Sequence, residues 1–164
     1  MFRRTGAVDL LATSTSAAPS YGGGNVAARR ETRMGTEENK AVVRRFMHEF
    51  VLEGKFDVAD EVLAPDYVNL ALGGGGAEAG KAMHTAMIEA EVGQRYEDEE
   101  LVAEGDVVTA RFRYILTFPD ASTAEVRALA YYRLVDGRIA VNDVMFDPDL
   151  MQILGPHLGP PPEA

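Results

Sequence analysis

The amino-acid sequence predicts an α+β fold in which a curved sheet surrounds a cavity. Three long strand patterns follow one another between residues 101 and 147, with turn sequences at 104–106 and 136–137. Two amphipathic helices, a short strand and a third helix precede them. Helices followed by a meander of long strands are typical of α+β domains. This order limits the function to chemistry or binding in an enclosed pocket.

The first predicted helix begins at Thr36, a favourable N-cap residue, and ends at the break over residues 53–55. Apolar residues recur along this helix at helical spacing. They are Val43, Phe46, Met47, Phe50 and Val51. A second, shorter helix begins at Asp57 and is ended by Pro65.

A short strand is predicted over residues 67–72, and a flexible glycine loop follows it over residues 73–76. The third helix covers residues 78–91, and His84 lies on nearly the same side of it as Ile88. The long strands come next, before a short terminal helix. They are predicted over residues 96–103, 107–118, 123–135 and 138–147.

The net charge of −10 is unevenly distributed along the chain. Residues 1–33 contain five arginines and two acidic residues, a net +3, so residues 34–164 carry −13. An acidic body repels phosphate groups, so neither a nucleic acid nor an anionic membrane is predicted as a partner. The chain has no cysteine, and its three histidines lack the HExxH spacing. No metal site is therefore predicted.

The two ends of the chain differ in composition from its middle. Residues 1–34, rich in Ser, Thr, Ala and Gly, are predicted to be disordered or a non-native extension. The early apolar patch is short and interrupted by Asp9, so no secretory signal is predicted and we expect a cytoplasmic location. One domain is predicted over residues 35–155, followed by a Pro-rich tail over residues 156–164.

Several stretches of the chain resemble a known family. They are ENKAVVRRFMHEF, GKFDVADEVLAPDYVN, VAEGDVVTARF, and YYRLVDGRIA followed by FDPDLMQIL. In this order, over residues 38–154, they resemble the SnoaL-like family of the nuclear transport factor 2-like superfamily. The resemblance implies a cone-shaped α+β barrel, with three N-terminal helices packed on a strongly curved mixed or antiparallel sheet, and commonly a homodimer. Because the family includes polyketide cyclases, epoxide hydrolases and isomerases, the fold does not assign the reaction.

Limonene epoxide hydrolases offer one comparison by residue. Tyr67 and Asn69 resemble their water-positioning Tyr-x-Asn pair, and Arg111 aligns with their central arginine. The two acids of that site fall on Arg113 and Val144, which can neither deprotonate water nor protonate an epoxide.

Strand alternation then gives two versions of the pocket. In both, the resemblance places Arg111 inside, and Arg113 follows because it lies two residues further along the strand. The first version contains no carboxylate, and suits an anionic ligand or stabilises an enolate. Its lining is Arg111, Arg113, Tyr67, Asn69 and Asn142. In both versions the apolar face over residues 112–118 packs against a partner subunit or another layer.

The second version uses the resemblance to polyketide cyclases, whose acid/base aspartate lies on the last strand. Asp143 is one residue from that position, and a β-bulge over residues 142–144 would turn it inward beside Arg111. Without the bulge, Asp143 is a solvated or interface carboxylate, and both arginines could likewise pair with surface acids. His84 is either a core histidine or a proton shuttle. Tyr132 and Phe146 are further candidates for the pocket wall.

The sequence thus predicts a cofactor-free enzyme that binds a small, oxygenated, mostly apolar metabolite. The predicted reaction is proton abstraction next to a carbonyl, leading to cyclisation or isomerisation. Asp143 or His84 would be the base, and Arg111 and Asn69 would stabilise the oxyanion. An epoxide hydrolase with rearranged acids and a non-catalytic small-molecule binding protein are the alternatives.

Overall fold

The computed structural model describes residues 35–158 as an α+β domain with five strands. The strands are β1 (Leu63–Asn69), β2 (Gly93–Glu104), β3 (Val107–Thr117), β4 (Thr123–Val135) and β5 (Arg138–Asp147). They form one sheet in the order β1-β5-β4-β3-β2, in which β1 runs parallel to β5 and all other neighbours are antiparallel. The predicted fold class is confirmed, although the sheet remains open, with β1 and β2 as its edges. The predictions for residues 1–34 and 159–164 lie outside the described residues.

The helical segments cover one face of this sheet. The α- and π-helical ones are α1 (Thr36–Arg45), a π-helical segment (Phe46–Leu52), α2 (Ala59–Val62), α3 (Ala77–Glu89) and α4 (Leu150–Leu154), and two 3-10 segments cover Phe56–Val58 and Leu70–Leu72. The π-helical segment continues α1 with a wider turn, in which the Glu53 amide donates to the His48 carbonyl at 3.0 Å. Gly35, not the predicted Thr36, is the N-cap of α1. Within the described residues, none of these helices is long and apolar enough to cross a lipid bilayer.

Strand β1 begins and ends earlier than the sequence predicts. The side-chain oxygen of Asn69 accepts a hydrogen bond from the Leu72 amide at 3.2 Å, which turns the chain into a 3-10 helix instead of extending the strand. Pro65, which the sequence predicts to end the second helix, lies inside β1. The pairing with β5 is irregular between Leu63 and Val68, so the missing N–H of the proline is tolerated there.

Residue alternation gives the sheet a buried inner face and an exposed outer face. On β3, Ala110, Phe112 and Tyr114 are buried, and on β4 the inner positions such as Ala130 and Tyr132 are buried as well. The intervening residues of β4 are exposed on the other side of the sheet. Because the helices pack on the inner face, the core and any enclosed site lie between these two layers.

A buried polar contact connects the first helix to the sheet. Asn39 is only 1% exposed, and its side-chain Nδ2 donates to the Gly105 carbonyl at 2.8 Å. Gly105 lies in the turn between β2 and β3 with φ of +58°, a conformation that favours glycine. The contact therefore holds α1 against the end of this hairpin.

We expect Asn39→Ala to lower the free energy of unfolding by about 2 kcal/mol, because the hydrogen bond from the buried Asn39 side chain to the Gly105 carbonyl is lost. Glu38→Ala changes an exposed neighbour on the same helix and should alter the free energy of unfolding by less than about 0.5 kcal/mol. Urea unfolding monitored by circular dichroism measures both values. Equal losses in the two variants would contradict the structural role of the Asn39 contact.

Candidate functional site

A cavity of about 380 Å³ lies between the helices and the inner face of the sheet. This volume is in the range of pockets that hold small molecules. Eight of its 22 lining residues are Phe or Tyr. They include Phe46, Phe50, Tyr96, Phe112, Tyr114 and Phe146. A wall of this kind favours a largely apolar occupant.

The rings from the π-helical segment are held by contacts with one another and with the sheet. Phe46 and Phe50 stack with their centroids 5.3 Å apart, and Phe46 meets the edge of Tyr132 at 6.1 Å. On the sheet side, the Tyr96 and Phe112 centroids are 4.5 Å apart. These contacts restrict the rotamers of the rings, so the shape of the cavity is largely preformed.

A row of polar side chains lies on the inner face, where β1, β5 and β4 are neighbours. Asn142 on β5 has Asn69 of β1 and Tyr132 of β4 as its neighbours across the sheet. The Asn142 Nδ2 donates to the Tyr67 hydroxyl oxygen at 3.3 Å. Tyr67, Asn69 and Asn142 are each less than 10% exposed, and all three line the cavity.

The phenol of Tyr67 stays protonated at neutral pH. Burial raises its pKa to about 12, although the amides of Asn142 and Asn69 act in the opposite direction. Tyr67 can therefore donate a hydrogen bond to a molecule in the cavity. It cannot act as a base under ordinary conditions.

His84 enters the cavity from α3. Its ring lies perpendicular to that of Phe50, with the centroids 5.9 Å apart. Burial lowers the pKa of His84 to about 4, so the imidazole is neutral at pH 7. A neutral imidazole offers one nitrogen as a hydrogen-bond acceptor or a base.

Two buried side-chain atoms among residues 35–158 have no hydrogen-bond partner, and both belong to residues that line this cavity. They are Nδ1 of His84 and Oδ1 of Asn142. An unpaired buried polar group costs about 1–3 kcal/mol, so such groups usually have a partner. Both atoms therefore indicate hydrogen bonding to a molecule inside the cavity.

Two predicted pocket residues lie on the outer face instead. The side chain of Arg111 is 75% exposed, and its nearest acid is Glu100 at 3.8 Å. Arg113 pairs with Glu97 and Asp98 at 2.7 Å each and with Glu125 at 2.9 Å, and the hydrogen bonds to Asp98 and Glu125 raise its pKa. The prediction that both arginines line the pocket is therefore wrong.

The reason lies in the composition of β3. Every second residue from Val108 to Leu116 is apolar or aromatic, and this set is buried under the helices. A one-residue change of face would bury two guanidinium groups and expose that whole set. For the apolar face over residues 112–118, a partner subunit or another layer was expected, and the structure shows another layer, since the alternate residues from Phe112 to Phe118 belong to the core beneath the helices.

Asp143 also lies outside the cavity. It is paired across the sheet with Tyr131, which is an outer-face residue of β4. The irregular pairing of β5 with β4 falls between Arg133 and Leu134, opposite residues 139–141, and not at residues 142–144. The version of the pocket with a bulge that turns Asp143 inward is therefore wrong.

The remaining predicted residues are brought together. Those that line the same cavity are Tyr67, Asn69, His84, Tyr132, Asn142 and Phe146. Phe112 and Tyr114 also line the cavity and were not predicted to do so, although the apolar alternation along β3 could have identified them. Among the described residues, Asp149 is the one acid in the lining, and its Oδ1 caps α4 by accepting from the Met151 and Gln152 amides. Residues 35–158 contain no group of three or more side chains arranged to ligate a metal ion.

Comparison with known proteins gives a match in sequence. The sequence model described as SnoaL-like domain matches residues 43–142, which confirms the resemblance found in the sequence. None of the curated proteins matches the chain.

Three of the similar solved structures illustrate the fold. An NTF2-like protein from Burkholderia xenovorans LB400 has 20% identity and a TM-score of 0.59, covering 77% of this chain and 99% of its own. A candidate SnoaL-like polyketide cyclase from Jannaschia sp. CCS1 has 20% identity and a TM-score of 0.58, covering 77% and 95%. An LEH-like epoxide hydrolase from M. tuberculosis has 22% identity and a TM-score of 0.57, covering 69% and 85%. At these identities the likeness shows the fold alone.

The lowered pKa of His84 should make stability depend on pH. The unfolded chain binds a proton at this histidine near the ordinary value of about 6.5, whereas the folded chain binds it only near 4. As pH falls from 6.5 to 4, the unfolded state is therefore favoured, and His84 should lower the free energy of unfolding by on the order of 2 kcal/mol.

We expect His84→Gln to lack this part of the pH dependence, because glutamine does not titrate. Thr85→Ala, an exposed change on the same helix, should keep it. Urea unfolding of the three proteins at about pH 7 and about pH 4.5 measures the effect. The same pH dependence in His84→Gln and the unaltered protein would mean that His84 is not buried as described.

Proposed function

The chain belongs to the SnoaL-like domain family, and on that premise we propose that it binds a small, uncharged, oxygenated molecule in the cavity and moves a proton on it. The proposed reaction is isomerisation or cyclisation next to a carbonyl group. One observation carries the proposal. The neutral His84, with its unpartnered Nδ1, shares an aromatic cavity with the protonated Tyr67.

The composition of the lining supports an uncharged ligand. No arginine or lysine lines the cavity within the described residues, and Asp149 already accepts two backbone hydrogen bonds. A charged ligand would lose its hydration to aromatic walls without gaining an ion pair. The prediction of an anionic ligand depended on Arg111 facing the pocket. Because Arg111 faces outward, we propose a neutral ligand instead.

His84 is the proposed base. Its Nδ1 takes a proton from the carbon next to the carbonyl, and the Tyr67 hydroxyl donates a hydrogen bond to the enolate oxygen that forms. The developing negative charge raises the pKa of the nearby imidazole while the proton is held there. Where the enolate is conjugated with a double bond, return of the proton to the far carbon of that conjugated system gives the isomer. In cyclisation, the enolate carbon attacks a second carbonyl, and the proton passes to the oxygen of that carbonyl.

Epoxide hydrolysis receives less support from this lining. It needs one carboxylate to deprotonate water and another acid to protonate the epoxide oxygen. Asp149 is the one acid in the described lining, and its carboxylate already accepts two backbone hydrogen bonds at the start of α4. A binding role without chemistry remains the second candidate, because the same neutral lining would also hold an unreactive ligand.

The proposal includes a homodimer that forms through the outer face of the sheet. Large apolar side chains are exposed on that face. They are Val102, Leu129, Tyr131 and Met145. Exposed apolar groups in one area favour an interface. Arg111 and Glu100 lie beside them, so a two-fold related copy could face each charge with the opposite one.

For the reaction, we expect the protein to speed deuterium exchange next to the carbonyl of bound ketones dissolved in heavy water. His84→Gln should lower the exchange rate by about 100-fold, because the base is lost. Proton NMR of a panel of aromatic and cyclic ketones measures the exchange. Arg111→Gln and Asp143→Asn, both on the outer face, should remain within about twofold of the unaltered protein.

Stabilisation by a ketone without any exchange would indicate the binding role and contradict the proposed acid/base reaction. A diol that carries oxygen from labelled water, formed from an epoxide, would favour the hydrolase. A loss of exchange in Asp143→Asn but not in His84→Gln would contradict the assignment of the base.

For the dimer, we expect Leu129→Glu to weaken self-association by at least about tenfold, because it puts a charge into each half of a symmetric interface. Ile88→Glu is the matched control, since Ile88 is an equally exposed apolar residue on α3. Sedimentation velocity over a range of protein concentrations measures the dissociation constant. A monomeric unaltered protein, or equal effects of the two changes, would contradict the proposed interface.

A further inference from the structure

The amide of Asn142 presents its oxygen to the cavity. Its Nδ2 is used by the hydrogen bond to the Tyr67 hydroxyl at 3.3 Å, while its Oδ1 is buried without a partner among the described residues. The hydrogen bond from Asn142 Nδ2 to Tyr67 would by itself be enough to join β1 and β5. The free oxygen therefore requires a different explanation.

The Tyr67 hydroxyl is arranged as a donor to the cavity. Its oxygen accepts from the Asn142 Nδ2, and its pKa stays high, so the hydroxyl keeps its hydrogen. The Asn69 oxygen already accepts from the Leu72 amide. The Tyr67 hydrogen is therefore available to a molecule in the cavity, which Tyr67 lines.

The cavity therefore offers a donor and an acceptor side by side. The donor is the Tyr67 hydroxyl hydrogen and the acceptor is Asn142 Oδ1, which belongs to the same amide that contacts the Tyr67 oxygen. A ligand satisfies both atoms only if it carries an acceptor and a donor on adjacent groups. We propose that Tyr67 and Asn142 select molecules in which a hydroxyl group lies next to a carbonyl, such as a hydroxy ketone or an enolised dicarbonyl compound.

This inference rests on the proposed function, because it names the ligand class of the same cavity. The carbonyl oxygen accepts from Tyr67, which is the contact that the proposed enolate uses. The hydroxyl group donates to Asn142. A plain ketone would accept the hydrogen bond from Tyr67 but leave the buried Asn142 oxygen without a partner. Sites that hydrogen-bond a ligand hydroxyl discriminate strongly against analogues that lack this group. A carboxylate has no donor and would bring negative charge against the same oxygen.

The test compares three ligands of nearly equal size on the full chain. They are 2-hydroxy-1-phenylethanone, its methyl ether and acetophenone. We expect the hydroxy ketone to bind at least about 30-fold more tightly than the other two, because only it donates to Asn142. Ligand-observed NMR measures the dissociation constants. The methyl ether keeps the second oxygen but lacks the hydrogen, so it separates hydrogen bonding from size and polarity without any substitution in the protein.

Variants assign the preference to the named pair. Asn142→Leu should reduce the ratio of hydroxy ketone to acetophenone affinity to within about threefold of unity. Asp143→Asn is the matched control on the same strand and should retain the full ratio, because Asp143 faces the other side of the sheet. Tyr67→Phe should weaken all three ligands by about tenfold, since each of them accepts from the Tyr67 hydroxyl.

The outcomes separate this inference from the proposed function. Equal binding of the three ligands to the unaltered protein would overturn the ligand class while leaving the cavity as the binding site. If neither these three ligands nor any other ketone binds, the proposed function itself is overturned. A preference that survives in Asn142→Leu would overturn the role of the pair.

Discussion

Burial of Ala110, Phe112 and Tyr114 under the helices determines on which side of the sheet chemistry can occur. Each strand has only two faces, and the apolar residues of β3 and β4 lie together on one of them. Every charged residue at the alternate positions is thereby directed to solvent. Apart from Asp149 at the start of α4, the described lining is uncharged, and the polar side chains of Tyr67, Asn69, Asn142 and His84 come from β1, β5 and α3.

A neutral site changes the kind of chemistry that the fold can support here. Charged pockets recognise ligands over several ångströms and respond to salt, whereas this cavity depends on contact between matched hydrogen-bonding groups. The low-dielectric wall strengthens each of these contacts and makes each unmatched one costly. Such a cavity is selective mainly because it binds weakly those ligands that leave one of its polar atoms without a hydrogen bond.

The strands were predictable from the sequence because their signals are local. Period-2 alternation and the turn at residues 136–137 gave the observed bounds of β4 and β5. The face of Arg111 was predicted wrongly, because the resemblance to a distant family indicates the inner face whereas the apolar residues on either side of Arg111 fix it on the outer face. The direction of His84 could not be derived, since the helix stripe grouped it with Ile88, which is 53% exposed. The pairing of Asn142 with Tyr67 joins residues 75 positions apart and depends on the parallel contact between β1 and β5, for which the sequence carries no local signal.

The π-helical turn that follows α1 also has an evolutionary consequence. Such a turn contains one more residue than the α-helical turn it replaces. Deleting that residue in a homologue would restore a regular helix and leave the residues after the segment near their present faces, because the wider turn absorbs the extra residue. Only side chains inside the segment, such as Phe50, would shift relative to Phe46 and the sheet. A change of length can thus reshape the wall of this cavity, with no substitution on the sheet.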